Sequence, residues 1–194
     1  TKAIIVVHYA GFSCDMNYFL KLKKKYNIYL IEDAAHAFLG KYNDKYLGTI
    51  GDLGAFSFHE TKNFVGGQCG ALSINNLKFH KKAKIILDKG TDRSLVKNKK
   101  KYYSWKGIGS EYRATELSSA LLFGQLIKCN YIQKAREKIW NKYFNKFYKI
   151  NDKNFYILNK SNKFKISAHH VFALIFKSLS LRNRFILYMK KKGI

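Results

Sequence analysis

The chain opens on an unbroken apolar run, Ala3-Ile4-Ile5-Val6-Val7, β-branched and lacking the polar alternation of a half-exposed strand. Such a run predicts a strand over residues 3 to 8, buried on both faces as in a parallel sheet, with Gly11 ending it. Asp15 then stands as an N-cap before Tyr18, Phe19 and Leu22 at helical spacing, which predicts a helix to about residue 26. A second strand follows at 28 to 31. Strand, helix and strand in this order make a βαβ unit with a right-handed crossover.

Beyond it the periodicity predicts short strands at 54 to 58 and 71 to 74, flanked by Gly48, Gly51, Gly66, Gly67 and Gly70. A helical pattern covers 76 to 89, and Lys97 to Lys101 reads as a solvated basic loop. Residues 115 to 148 are helical with one break near Cys129-Asn130, and Leu117, Leu121, Phe123, Leu126 and Ile127 form a packed stripe. A strand is expected at 168 to 176 and a helix from about residue 180. The fold class is therefore α/β: a mostly parallel sheet with flanking helices, without internal repeats.

Two strand ends carry chemistry. The second strand finishes in Glu32-Asp33-Ala34-Ala35-His36, at the carboxyl edge where open α/β sheets hold ligands. The third runs into Ser57-Phe58-His59-Glu60-Thr61-Lys62-Asn63, delivering a hydroxyl, a histidine and an amine into one turn. Ser57 and nearby backbone N–H groups suit a phosphate, and Lys62 supplies a nucleophilic amine. A lone lysine in a loop is ordinarily just solvated, and a lone aspartate is ordinarily a cap. Together they match what pyridoxal phosphate (PLP) needs: a lysine for a Schiff base and a carboxylate against the pyridine nitrogen.

Those two strings resemble the DegT/DnrJ/EryC1/StrS family of sugar aminotransferases, PLP-dependent enzymes of fold type I. His8-Tyr9-Ala10-Gly11, Leu47-Gly48-Thr49-Ile50-Gly51, Lys89-Gly90-Thr91-Asp92-Arg93-Ser94 and Tyr103-Ser104-Trp105 extend the resemblance, strongest to about residue 150. They are similar to members that aminate a dTDP-4-keto-6-deoxy-hexose for enterobacterial common antigen. The resemblance implies a partial large PLP-binding domain at 1 to 150 and the start of a small α+β C-terminal domain at 151 to 194. It implies that Lys62 carries PLP, Asp33 faces the pyridine nitrogen, His36 sits by the ring face or its phenolic oxygen, and Ser57 binds phosphate. Arg93 meets either an anionic substrate group or a surface ion pair. L-Glutamate would give its amino group to the cofactor and leave as 2-oxoglutarate, and the keto sugar would take it up. Relatives that dehydrate sugars carry histidine where Lys62 stands, so the lysine implies transamination. Family members are homodimers.

Gly66-Gly67-Gln68-Cys69-Gly70 departs from the family's glutamate flanked by glycines, so Cys69 is expected to be strained if its φ is positive. Glu111, Ser118 and Val6 also depart. The first residue is Thr1, no basic leader precedes the apolar run, and the family's N-terminal glycine-hydroxyl loop has no counterpart. A truncated, inactive remnant is therefore the second reading.

Composition changes the picture little. An apolar fraction of 47% with 16% aromatics is globular, and no apolar run approaches the roughly 18 residues of a membrane helix. Cys14, Cys69 and Cys129 form neither a CxxC pair nor an even set, which fits unpaired thiols in a reducing, cytoplasmic compartment. The net charge of +25 raises nucleic acid as a partner and makes a basic binding module the third reading. Yet the lysines are scattered and proline is absent, as a genome-wide coding bias would produce, so no nucleic-acid partner is expected.

Overall fold

A computed structural model describes residues 1–96, 102–150, 152–158 and 165–194; the basic run at 97 to 101 lies outside the described residues. In chain order the elements are β1 (Ala3–Val7), α1 (Met16–Tyr26), β2 (Tyr29–Asp33), β3 (Lys41–Tyr42), β4 (Lys45–Tyr46), β5 (Leu53–Ser57), β6 (Gly70–Ile74), α2 (His80–Leu87), α3 (Glu116–Leu126), α4 (Cys129–Ile150), β7 (Phe155–Ile157), β8 (Lys165–Ile166), β9 (Leu174–Phe176) and α5 (Leu179–Lys191). The main sheet has the order β1-β2-β5-β6. β1, β2 and β5 run parallel, and β6 returns antiparallel beside β5. The βαβ unit and all four strands of this sheet were legible in the hydrophobic pattern.

Local chemistry sets the boundaries. The Asp15 carboxylate accepts the Tyr18 N–H at 3.2 Å and opens α1. Lys23, Lys24 and Lys25 sit in the last turn, where the helix dipole favours cations, and Asn27 closes the helix in the left-handed region at φ 48°. Met16 of α1 is fully buried against Val6, Leu30, Ala34, Ala37, Tyr42 and Leu47, which form the main core on one face of the sheet. A second core joins Ala10 and Phe12 to Trp140 of α4, with Phe144, Leu158 and Phe172 packed around it.

The other face of the sheet is open. β1 is an edge strand, and its alternate residues Ile5 and Val7 are 65% and 48% exposed, as is half of Leu72 on β6. The expectation of burial on both faces is corrected: α1 and the loops after β2 cover only the side that carries Val6, Leu30 and Glu32. The packed stripe expected on α3 is corrected too. Leu117 is 84% and Phe123 65% exposed, and α3 buries no residue; Glu116, Ser118, Ser119 and Gln125 are interleaved with its apolar positions, so its sequence encodes no preferred face. The strand expected at 168 to 176 is reduced to Leu174–Phe176, because His169 takes φ 50° and bends the chain before it. Cys69 has no positive φ; the left-handed residue of that turn is Gly67, at φ 77°.

The carboxyl edge of the sheet is organised by one buried side chain. Glu32, fully buried, accepts the N–H groups of Gly48, Ile50 and Gly51 at 2.8, 2.6 and 2.6 Å. His8 at the end of β1 completes the set, Nε2 to carboxylate at 3.0 Å. Its Nδ1 accepts the Cys14 N–H at 3.2 Å, which leaves the ring proton on Nε2, pointing at Glu32. Burial pushes the Glu32 carboxyl up, but His8 and the three amides outweigh it and hold it below its usual range. Two glycines keep the neighbourhood tight: a Cβ on Gly54 would collide with the Gly48 carbonyl, and Gly48 itself adopts φ 86°.

Two outcomes follow for stability. Glu32→Gln should lower the unfolding free energy by about 3 kcal/mol in urea titrations near pH 7, because an amide NH2 would face donors. Since the folded Glu32 carboxyl titrates below the unfolded one, its contribution is present above the ordinary value of about 4.3 and lost as pH falls through the folded value, so the gap between wild type and variant should close in acid. Gly54→Ala should cost about 3 kcal/mol by the same measurement, since the clash is with backbone.

Candidate functional site

Asp33, the last residue of β2, lies between Val7 of β1 and Ala55 of β5 in register. Side chains alternate along a strand, so Asp33 faces away from buried Glu32, onto the open side of the sheet. Ser57 ends β5 two residues past Ala55 and shares that side with Asp33. The Asp33 carboxylate accepts the Ala35 N–H at 3.0 Å, which turns the chain toward His36.

His36 is held at Nδ1, which accepts the Ala10 N–H at 3.3 Å, leaving the proton on Nε2. Its ring lies 5.4 Å from Tyr9 and 4.4 Å from His170. Burial lowers its pKa and the Lys62 charge lowers it further, against the pull of Asp33, so the imidazole stays neutral at neutral pH.

Lys62 sits in a loop tied down at several points. Its N–H donates to the His59 carbonyl at 2.9 Å, and the Gly66 N–H reaches the Phe58 carbonyl at 2.7 Å. Gln125 of α3 accepts the Val65 N–H at 2.9 Å. Phe64, almost fully buried, anchors the loop; Phe38 packs edge-on against Phe56, Phe58 and Phe64 at 5.2 to 5.7 Å. Partly buried Lys62 makes no salt bridge among the described residues, so its amine is available for chemistry. Lys62, His36, Ser57, Asn63 and His170 line one small pocket together with Ala35 and three phenylalanines.

Of the residues singled out from sequence, the fold thus brings Lys62, His36 and Ser57 to one pocket and sets Asp33 on the same sheet edge, within electrostatic reach of His36. Arg93 is not among the residues that line this pocket. It is exposed on a short turn, with its guanidinium 6.0 Å over the Tyr103 ring. His170 was missed. The available signal was a pair of histidines, His169-His170, at the head of an otherwise apolar stretch.

An uncommitted amine, a carboxylate and a hydroxyl on one sheet face, and a neutral imidazole are the groups that hold PLP's carbonyl carbon, pyridinium, phosphate and ring. The residues present fit it.

A sequence model of the DegT/DnrJ/EryC1/StrS aminotransferase family matches residues 1–194. The chain is 33% identical to the UDP-4-amino-4,6-dideoxy-N-acetyl-beta-L-altrosamine transaminase of Campylobacter jejuni, over 89% of this chain and 44% of that protein. PseC of Helicobacter pylori, an aminotransferase in pseudaminic acid biosynthesis, superposes with a TM-score of 0.88 at 28% identity, over the whole of this chain and 51% of that one. The PLP form of Spr1654 of Streptococcus pneumoniae, a putative sugar aminotransferase, shares the fold with a TM-score of 0.85 at 24% identity, over all of this chain and 52% of that one. The chain spans about half the length, or less, of the relatives it matches. On the match across its whole length, the chain belongs to the DegT/DnrJ/EryC1/StrS aminotransferase family.

Proposed function

We propose that the protein containing this chain is a PLP-dependent aminotransferase that moves the amino group of L-glutamate onto a nucleotide-linked 4-keto-6-deoxy sugar. The observation that carries the reading is that an uncommitted Lys62 amine, in the loop after β5, and the Asp33 carboxylate, at the carboxyl end of the neighbouring parallel β2, both lie within electrostatic reach of His36. A dTDP-linked hexose, as in surface polysaccharide synthesis of the enterobacterial common antigen type, is the substrate implied by the sequence motifs. The UDP-sugar acted on by the Campylobacter relative is the natural alternative.

When bound, PLP acts as an electron sink for the pair released at the reacting carbon. Lys62 would anchor it covalently and, once displaced, shuttle the proton at the substrate's reacting carbon as general base and then acid. Asp33 would keep the ring nitrogen protonated. His36 would lie against the ring, its neutral state set by burial and by Lys62, and its orientation fixed by the Ala10 amide. Ser57 would donate its hydroxyl to the phosphate. The phenylalanines around Phe38 would exclude water from the Lys62 side.

The division into a large domain at 1 to 150 and the beginning of a small one after it belongs to this proposal, as do a homodimeric assembly and a cytoplasmic site of action. No helix among the described residues is long and apolar enough to cross a membrane.

Mixed with PLP, the protein should develop a visible absorption band that glutamate bleaches and that Lys62→Ala abolishes. No band in the folded wild type would sink the reading. Asp33→Asn should keep the band but slow its bleaching by about 100-fold, since the ring nitrogen would lose its counter-charge. Stopped-flow absorbance checks both.

A further inference from the structure

His170 reaches the Lys62 pocket from the far end of the chain, 107 residues from Asn63, and the backbone that carries it is held against its own preference. His169 adopts φ 50°, a region that costs a non-glycine residue about 1 kcal/mol. Four groups enforce the bend. Arg136 of α4 donates Nε to the His169 carbonyl at 3.3 Å and Nη2 to the His170 carbonyl at 2.8 Å. Trp140 donates Nε1 to the Val171 carbonyl at 3.1 Å, and the Ala168 N–H donates to the Gly11 carbonyl at 2.9 Å.

The hydrogen bonds also settle which ring nitrogen carries the proton. Asn63 donates Nδ2 to the Ala168 carbonyl at 2.6 Å, and that fixes the orientation of its amide. Asn63 Oδ1 then faces His170 Nδ1 at 2.8 Å, so Nδ1 must donate. Burial, with His36, Lys62 and Arg136 nearby, pushes the His170 pKa down to about 4; the ring is neutral, and Nε2 is an acceptor with no hydrogen bond among the described residues. His36 and His170 are thus neutral imidazoles of opposite tautomer, packed 4.4 Å apart beside the amine.

A mere structural tie would not need this acceptor, because Asn63 to Ala168 and Arg136 already fasten the segment. A bare lone pair wants a hydroxyl. Glutamate presents carboxylates, which are acceptors, and its one donor, the α-ammonium, is the group that reacts. A sugar presents hydroxyls. We propose that His170 is a substrate-binding residue selective for the amino acceptor, its Nε2 taking a hydrogen bond from a sugar hydroxyl. This rests on the aminotransferase reading above.

The test separates the two half-reactions in the PLP-loaded protein. His170→Asn keeps a donor toward Asn63 but leaves nothing at Nε2, whereas His170→Gln restores an acceptor there. Glutamate bleaching should be slowed less than the sugar-dependent recovery in both variants. Recovery of the band on adding dTDP-4-keto-6-deoxyglucose, or its UDP- and GDP-linked counterparts, should need at least about tenfold more sugar in His170→Asn, and less than that in His170→Gln. Independently of turnover, 15N spectra of the cofactor-free protein should show His170 as the neutral Nδ1–H tautomer from pH 8 down to about pH 5. Equal losses in both half-reactions, no loss in either, no response of wild type to any of the three sugars, or a proton on Nε2 would each overturn the proposal. Absence of a Lys62-dependent band in wild type would instead identify failure of the aminotransferase reading, and the inference falls with it. If His170→Asn does not fold, His170→Gln and the spectra decide.

Discussion

The carboxyl edge of the sheet is built around one buried carboxylate. Glu32 is sealed inside the protein and gathers three amides of the turn at 48 to 51 and the His8 imidazole into one shell. A buried carboxylate without partners would be intolerable, so the turn at 48 to 51, the end of β1 and the end of β2 are obliged to meet at one point. Because strand residues alternate, fixing Glu32 inward turns Asp33 outward onto the reactive face. The register of β2 against β5 then brings Ser57 to that face and starts the loop that carries Lys62.

The sequence made half of this visible. Asp33, Ser57 and Lys62 stand out because each follows a β-branched or aromatic strand at its carboxyl end, and strand order does the rest. Glu32 and His8 could be named but not assigned, since a carboxylate beside another at a strand tip looks equally catalytic until burial separates them. His170 was out of reach for a different reason. Its placement depends on the left-handed backbone at His169 and on Arg136 and Trp140 of a helix elsewhere in the chain, and no local pattern encodes such an arrangement. Periodicity misjudged α3 and β1 for a common cause: an apolar stretch reports that burial is favourable, not that a partner is present on a given side.

The sheet is consequently two-sided in character. One face carries a packed core of aliphatic side chains under α1; the other combines exposed Ile5, Val7 and Leu72 with the polar groups of the site. The scattered lysines that give the chain its charge of +25 keep the remaining surface well hydrated.

The return of residues 168 to 170 to Asn63 also governs timing. A protein emerges from the ribosome from its N-terminus, and the strands β1, β2, β5 and β6 that pair in the main sheet all lie within residues 3 to 74. The wall supplied by Ala168 and His170 cannot close until more than a hundred residues beyond Asn63 have been made, and closing so long a loop is slow. At about 5–20 residues per second the lining of the pocket is therefore completed several seconds after the strands are made, once α4 is in place to grip residues 169 and 170.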